Sequence, residues 1–381
     1  MARVRYICNV ESIKQLPEYE RWILSQVADK YQFRANNYYL GLIDWSDPAD
    51  PIRRIVIPQA DELREFGELD VSNENANYVA PGCQHKYPHT VLMLCTEICG
   101  AYCRFCFRKR LFMNENDEAA VDLTPAIDYV RRTPQITNVL LSGGDPLLLS
   151  TKRLENIIGR LREIPHVEII RIGSKMTAFN PYRIIDDPAL LEMFSRYSTP
   201  DHRIYMMTHF NVPQELSDAA KRALDLLMKS GLVLANQTPV LKGINHRPSV
   251  LAELMSKLSA VGVPPYYFFQ CRPTEGNLPF ALTMVEAYQA LEKAKAMVSG
   301  LAKRARLVMS HESGKIEMVG LNRRHIYLRY HRARDPQDEG RFMTFHRDDN
   351  AYWLDDLQPV QHTPRPTDIY DVDDHLPLGL D

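Results

Sequence analysis

The sequence lacks the features that mark membrane, secreted or nucleic-acid-binding proteins. Its 46 Lys and Arg residues nearly balance 48 Asp and Glu residues, giving a net charge of -2 and no broad field that would attract a polyanion. No apolar run approaches the ~20 residues of a membrane span, and charges interrupt the N-terminal MARVRYICNVESIKQLPEYE where a signal peptide needs an apolar stretch. We therefore expect a cytoplasmic protein that binds neither nucleic acid nor membranes.

Cysteine is also scarce, and its distribution is uneven. There are seven cysteines, an odd number, and three of them fall within CGAYCRFCFRKR at residues 99–110. A secreted disulfide framework would show an even count at spread positions, whereas crowded thiols in a cytosolic protein indicate metal binding or reactivity.

The middle of the chain alternates short β-rich runs with helical patterns. Such alternation indicates parallel β-α units, and continuously apolar strands indicate a sheet covered on its faces. Six units favour a partial (β/α)6 barrel over an open sheet. The predicted strands are Thr90–Cys95, Thr137–Gly143, Val167–Ser174, Arg203–His209, Leu232–Val240 and Pro265–Cys271.

We divide the chain by this pattern into four parts. Residues 1–84 are an N-terminal accessory region with helical character, and residues 85–304 are the α/β barrel core. Residues 305–357 are predicted to form a β-rich C-terminal extension. Residues 358–381, rich in Pro and Asp, are predicted to be a tail. Polar residues gather where the predicted strands end, and such ends are where active sites form in barrels and open sheets.

Cys99, Cys103 and Cys106 form a C-x3-C-x2-C loop directly after the first core strand. Three thiolates can hold a cubane iron–sulfur cluster while one iron stays open to chelate a small molecule. Zinc with His85 or His89 as fourth ligand is an alternative, although structural zinc sites usually show two separated ligand pairs. A third possibility is that the three thiols are unrelated.

With an aromatic residue before the last cysteine, this loop resembles the signature of radical S-adenosylmethionine (SAM) enzymes, which carry a 4Fe-4S cluster on a β/α barrel. The further segments HKYP, LLSGGDPLLL, RIGSK, THFN, NQTPVLKGIN and ESGKIEMVG resemble the lysine 2,3-aminomutase family from Lys86 to Lys315. The resemblance implies an isomerase that moves an α-amino group to the β-carbon through a 5′-deoxyadenosyl radical.

The resemblance also assigns cofactor residues. Pyridoxal 5′-phosphate (PLP) is carried in this family as an imine on a lysine, here Lys315, and its phosphate is held by two arginines, at whose places stand Lys86 and Thr90. Arg108 takes the place of the arginine that binds the substrate carboxylate. The residues implied for SAM are Gly143, Gly144, Asp145, Ser174, His209 and Gln237.

The substrate pocket departs from the lysine enzymes of the family. They hold the distal ammonium of lysine with two aspartates; one place carries Arg272, and the other falls near Val308 and Met309, with no Asp. A guanidinium would repel a substrate ammonium at low effective dielectric. We therefore expect a substrate with an anionic or neutral side chain, such as glutamate, unless Arg272 is paired with Glu275 or Glu312.

Two alternatives stay open from the sequence alone. One is a radical SAM enzyme that acts without PLP on another metabolite or on a protein lysine, and the other is a non-catalytic iron–sulfur carrier. The radical chemistry implies a flavodoxin- or ferredoxin-type electron donor. A homo-oligomer is open as well, although no cysteine follows Cys271 to form the C-terminal zinc site of some family members.

Overall fold

The structure is a computed structural model that describes residues 4–113 and 118–360, so nearly all of the predicted tail lies outside the described residues. Two layers account for most of it, a long curved sheet and the helices that cover its outer face. The strands are β1 Tyr6–Ile7, β2 Ala35–Asn36, β3 Tyr78–Ala80, β4 Cys83–Tyr87, β5 Thr90–Leu94, β6 Asn138–Ser142, β7 Ile169–Ser174, β8 Ile204–Thr208, β9 Val233–Val240, β10 Pro265–Gln270, β11 Arg306–His311, β12 Gly314–Leu321, β13 His325–Ala333 and β14 Phe342–His346.

The helices connect the strands of the core and form much of the N-terminal region. They are α1 Glu18–Lys30, α2 Asn37–Leu40, α3 Pro51–Val56, α4 Thr124–Arg131, α5 Thr151–Arg162, α6 Met176–Phe179, α7 Tyr182–Ile185, α8 Pro188–Tyr197, α9 Asp218–Lys229, α10 Pro248–Ala260 and α11 Met284–Ala296. None of the helices in the described ranges has both the length and the apolar character to cross a bilayer.

Twelve of the described strands form one sheet in the order β14-β13-β12-β11-β10-β9-β8-β7-β6-β5-β4-β3. The strands from β5 to β11 are all parallel, each paired with the next along the chain. The six strands predicted for the core are therefore confirmed, within two residues at either end. The predicted C-terminal β-rich region is confirmed; within it β11 pairs in parallel with β10, and β12 to β14 are antiparallel.

Local sequence explains these elements. In β7, Ile170 and Ile172 are fully buried against the helices, while Arg171 and Gly173 alternate with them and face the interior of the curve. The helix before β9 is α9, which begins where Ser217 accepts a hydrogen bond from the amide of Ala220 at 3.1 Å. It is followed by Gly231, whose φ of 83° provides the left-handed turn that ends the helix.

The sheet curves until its two ends face each other, as a partial barrel requires. Lys86 on β4 donates a hydrogen bond to the carbonyl of His311 at the end of β11. Beside this contact the hydroxyl of Ser72 donates to the carbonyl of Ser310 at 2.6 Å. Side chains thus close the gap that no backbone ladder spans among the described strands. The predicted α/β partial barrel is confirmed, and its interior is the cavity described below.

Candidate active site

One cavity of about 460 Å³ occupies the interior of the barrel, and the loops after the parallel strands surround it. It brings together nearly all of the residues singled out from the sequence, although they are spread over 230 positions from Lys86 to Lys315. Ser174 is the exception because it lies behind the cavity wall. The predicted residues that line the cavity are Lys86, Cys99, Cys103, Cys106, Arg108, Gly143, Gly144, Asp145, His209, Gln237, Arg272 and Lys315.

The cysteine loop follows β5 and is anchored by a buried ion pair. The guanidinium of Arg104, two residues before Cys106, donates to Glu62 at 2.7 Å, and both side chains are almost fully buried. Arg104 also donates to the carbonyl of Tyr31 at 3.2 Å. A buried arginine with this many partners fixes the backbone around it, so the N-terminal region holds the loop in place.

The environment of the three thiols suits a cluster that supplies positive charge. Burial raises the pKa of Cys99, Cys103 and Cys106, so each thiolate needs a cationic partner to form. Within the described ranges no three metal-binding side chains converge on a point that one ion would occupy. A cubane offers its irons at separate corners, so its three thiolates need not converge in this way.

The histidines considered as a fourth zinc ligand have other partners. The Nδ1 atom of His85 lies 2.8 Å from the hydroxyl of Tyr129, and its Nε2 atom lies 3.2 Å from the carbonyl of Pro88. His89 is exposed, with its Nδ1 atom 3.0 Å from the carbonyl of Gln135. Neither histidine lines the cavity that the cysteines line.

The GGD turn after β6 packs directly on the segment that leads into the cysteine loop. The amide of Gly144 donates to the carbonyl of Thr96 at 2.6 Å, and that of Asp145 donates to Ile98 at 2.8 Å. A Cβ atom on Gly143 would lie 2.4 Å from the Thr96 oxygen, and Gly143 has a φ of 115°. Any side chain at these glycines would separate the two loops.

Asp145 is held by its neighbours within this turn. Its carboxylate accepts hydrogen bonds from the hydroxyl of Ser174 at 3.1 Å and from the amides of Lys175 and Leu147 at 2.8 and 3.0 Å. Burial nevertheless raises its pKa to about 6. Ser174, one of the residues predicted for SAM, thus contacts Asp145 and does not line the cavity, whereas Asp145 does.

His209 presents an unused polar atom to the same end of the cavity. Its Nε2 atom is buried without a hydrogen-bond partner in the structure, and burial, with the charge of Lys175, keeps its pKa well below the usual range. A neutral imidazole with a free nitrogen fits a bound polar ligand. Gln237 on β9 faces the cavity as well, so these side chains fit the SAM that the resemblance implies.

Lys315 on β12 enters the cavity from the opposite side of the barrel. Its ammonium lies 4.4 Å from the ring centre of Tyr267 and 5.6 Å from that of Phe269. Burial lowers its pKa to about 7, and the nearby charges of Arg171, Arg272, Arg332 and Lys86 act in the same direction. An amine with a pKa of about 7 is roughly half neutral at pH 7 and largely neutral by pH 8, and imine formation requires the neutral form.

The cations near Lys315 include two residues that the sequence analysis missed. Arg171 on β7 and Arg332 on β13 both line the cavity, beside the predicted Lys86. Arg171 donates to the side-chain oxygen of Asn138 at 2.8 Å, and Arg332 lies 5.3 Å from the ring centre of Tyr87. The donor chemistry of such a cluster fits a phosphate group such as that of PLP, although Thr90 stands at one of the two places where the resemblance has an arginine. The inward alternation of β7 would have pointed to Arg171, while Arg332 carries no signal in the sequence.

Arg272 is paired with neither Glu275 nor Glu312, the partners considered from the sequence. Its Nη1 atom donates to Oε1 of Glu74 at 3.2 Å, and its guanidinium lies 3.8 Å from the ring centre of Phe107. Arg108 binds the same Glu74 carboxylate, so the two arginines stand side by side. Glu74 was not singled out from the sequence because it lies in a segment without a recognisable motif.

Seven basic side chains and two carboxylates, those of Glu74 and Asp145, line the cavity within the part of the chain that the structure describes. Such a site is suited to ligands with several negative groups, which a phosphate and carboxylates supply. The cations are Lys86, Arg108, Arg171, Lys175, Arg272, Lys315 and Arg332.

Comparison with known proteins agrees with this site. The chain matches no family model. A protein of Aquifex aeolicus (strain VF5) named "Putative L-lysine 2,3-aminomutase" is 53% identical over 355 residues, which cover 93% of this chain and 95% of that protein. The L-lysine 2,3-aminomutase of Clostridium subterminale is 39% identical over 301 residues, covering 77% and 71% of the two chains.

A third relative has a different named substrate. The glutamate 2,3-aminomutase of Clostridioides difficile (strain 630) is 32% identical over 315 residues, which cover 82% of this chain and 73% of that protein. These relatives are all named as aminomutases, which confirms the prediction of an isomerase over that of an iron–sulfur carrier. The chain belongs to the lysine 2,3-aminomutase family of radical SAM enzymes, whose members use a 4Fe-4S cluster, SAM and PLP.

Proposed function

We propose that this protein is a PLP-dependent 2,3-aminomutase for an amino acid with an acidic side chain, with glutamate as the leading candidate. The observation that carries this proposal is the pair Arg108 and Arg272, which stand together on one carboxylate at the substrate end of the cavity. Two guanidiniums with donors to spare suit a substrate with two carboxylates.

Among the described residues, a substrate ammonium would find no unpaired carboxylate at this end of the cavity. Glu74 is the nearest carboxylate, and it already accepts hydrogen bonds from Arg108, Arg110 and Arg272. Asp145 belongs to the opposite end, where the amides of its own turn hold it. The distal ammonium of lysine would therefore lie beside Arg272 without compensation, which costs several kcal/mol at low effective dielectric.

Lys315 is the residue proposed to carry PLP, and Lys86, Arg171 and Arg332 would hold its phosphate. When bound, the cluster and SAM supply a carbon radical that removes hydrogen from the substrate, while PLP carries the migrating nitrogen. The chain itself contributes an amine at Lys315 whose pKa is lowered to about 7, and a cationic wall around it. Cys99, Cys103 and Cys106 would hold the cluster, with His209, Gln237 and the GGD turn around SAM.

Anaerobic reconstitution with iron, sulfide, SAM and PLP provides the test. The enzyme is incubated with L-glutamate, L-lysine, L-arginine and L-alanine, and β-amino products are separated by chromatography and identified by mass. We expect β-glutamate as the main product and little β-lysine. Rapid conversion of L-lysine to β-lysine would refute the proposed substrate class.

The role of Lys315 has a separate readout. The protein incubated with PLP should show the visible absorbance of a covalently bound pyridoxal group, and Lys315→Ala should abolish it. A surface variant such as Lys303→Ala is the matched control and should leave the band unchanged. If Lys315→Ala retains the band, PLP is not carried by this residue; if the wild-type protein gains none, an enzyme without PLP becomes the better interpretation.

A further inference from the structure

We infer that Glu74 is a positioning residue that ties Arg108 and Arg272 into a single clamp for the carboxylates of the substrate. The inference rests on the proposed function, since it concerns the substrate end of the same cavity. Glu74 lies 198 positions before Arg272 in the chain, and no motif in the sequence connects them.

The carboxylate of Glu74 is shared among three arginines. Arg108 forms a two-point contact, with its Nε atom 3.0 Å from Oε2 and its Nη2 atom 3.1 Å from Oε1. Arg272 reaches Oε1 at 3.2 Å, and Arg110 reaches Oε2 at 2.8 Å. Burial alone would raise the pKa of Glu74, but Arg108, Arg272 and Arg110 outweigh it and hold that pKa far below the usual range. The carboxylate is therefore ionised at any working pH.

The backbone around Glu74 is arranged to hold the side chain at this point. Asn73 has a φ of 47°, the only positive φ of a non-glycine residue in the described ranges. The amides of Glu74 and Asn75 donate to the two carboxylate oxygens of Asp70 at 2.9 and 3.0 Å. The hydroxyl of Ser72 fastens the same segment to β11. A left-handed asparagine and a capping aspartate thus turn Glu74 into the cavity.

Both arginines keep donors for a ligand after Glu74 is satisfied. A guanidinium has five N–H donors. Arg272 uses one of them on Glu74, and no other hydrogen bond of its side chain is found among the described residues. The Nη1 atom of Arg108 has only a long contact of 3.5 Å to the hydroxyl of Ser142. Phe107 supports both guanidiniums, at 4.7 Å from Arg108 and 3.8 Å from Arg272.

Positioning and simple charge neutralisation predict opposite effects when Glu74 is neutralised. If Glu74 only balances charge, Glu74→Gln makes the cavity more positive and should bind an anionic substrate more tightly. If Glu74 positions the clamp, the amide loses one acceptor oxygen and presents its NH2 group to a guanidinium. The two arginines then separate, and binding should weaken by about 10- to 100-fold, the range expected for charge-assisted hydrogen bonds.

The test is isothermal titration of the reconstituted enzyme with L-glutamate, alongside steady-state kinetics. Glu74→Gln is compared with Glu118→Gln, which removes a carboxylate that contacts Arg110 at 2.7 Å and leaves the contacts to Arg108 and Arg272 in place. Glu74→Asp keeps the charge but withdraws the carboxylate by one methylene, and it decides the question alone if Glu74→Gln does not fold. Circular dichroism establishes folding for each variant.

We expect Glu74→Gln and Glu74→Asp to weaken glutamate binding and to raise KM more than they lower kcat. The affinity of Glu118→Gln for glutamate should stay within about threefold of the wild-type value. Unchanged or tighter binding in both Glu74 variants would overturn the inference, and so would equal weakening in Glu118→Gln.

Titration with L-alanine separates this inference from the proposed substrate. If the wild-type enzyme binds alanine but not glutamate, the proposed substrate is wrong. Both Glu74 variants must even then bind alanine more weakly, because Arg108, which binds the α-carboxylate, loses its position. If it binds neither amino acid, both proposals fail.

Discussion

Replacing Lys315 with methionine should stabilise the protein in the absence of its cofactors. Burial and four neighbouring cations lower the pKa of Lys315 from 10.5 to about 7. Taken in full, such a shift corresponds to roughly 4 kcal/mol of unfolding free energy lost at pH 7. Because the ammonium faces the cavity and its water, we expect about half of that, ~2 kcal/mol, in favour of Lys315→Met.

The pH dependence follows from the direction of the shift. Between about pH 7 and 10.5 the unfolded chain keeps a proton on Lys315 that the folded protein has released. The free energy of unfolding of the wild-type protein therefore rises with pH relative to Lys315→Met, and the gap between the two narrows toward pH 10.

Urea unfolding of the cofactor-free protein at pH 7, 8 and 9, followed by circular dichroism, measures this gap. Lys303→Met, which changes an exposed lysine, is the matched control and should track the wild-type protein at each pH. A Lys315→Met protein that is less stable than wild type at pH 7 would refute the reasoning, and so would a gap that does not change with pH.

Two further predictions concern groups that hold the site together. Arg171→Met should weaken PLP binding by about tenfold, because one charge-assisted contact to the phosphate is lost. The affinity is measured from the visible absorbance at increasing PLP concentration. An unchanged affinity would show that Arg171 does not bind the phosphate. Glu62→Gln should destabilise the protein by about 3 to 5 kcal/mol in urea, since it leaves Arg104 buried without a counter-charge. The same variant should incorporate less iron on reconstitution, and full iron content would show that the ion pair does not hold the cysteine loop.

The barrel could be predicted from the sequence because each of its strands and helices has a local pattern of apolar residues. Continuous apolar runs predicted β5 to β10, and the cysteine spacing placed the cluster loop after the first of them. The cavity then collected the predicted residues because parallel strands end at the same edge of a sheet. The sequence predicted the β-rich C-terminal region but not the parallel pairing of β11 with β10, because a strand segment does not reveal whether its neighbour runs parallel or antiparallel.

The cavity residues that the sequence analysis did not predict are brought to the site by contacts between segments that are distant in sequence. Arg171 lies within the RIGSK segment, but the segment alone does not show where its side chain points. The alternation of β7 turns Arg171 toward the interior, where it lies near Lys315 of β12. Glu74 and Arg332 stand near the two ends of the sheet, and only the curvature of the sheet brings them to the cavity. Ser174 also stands at a strand end, yet its hydroxyl donates to Asp145 and it does not line the cavity, so a strand-end position alone does not show that a side chain faces the interior.

The division of the site between the middle and the ends of the sheet indicates where substrate choice is set. The cysteines, the GGD turn, His209 and Gln237 come from β5 to β9 and the loops after them, and we propose that they serve the radical chemistry common to the family. Glu74 and Lys86 come from one end of the sheet, and Lys315 and Arg332 from the other. Side-chain contacts, rather than backbone hydrogen bonds between strands, join these two ends. An arginine at position 272, where the resemblance has an aspartate, can therefore change the charge at the substrate end without disturbing the central strands. Arg272 pairs with Glu74, which lies near one end of the sheet, and the same carboxylate holds Arg108, the arginine proposed to bind the α-carboxylate.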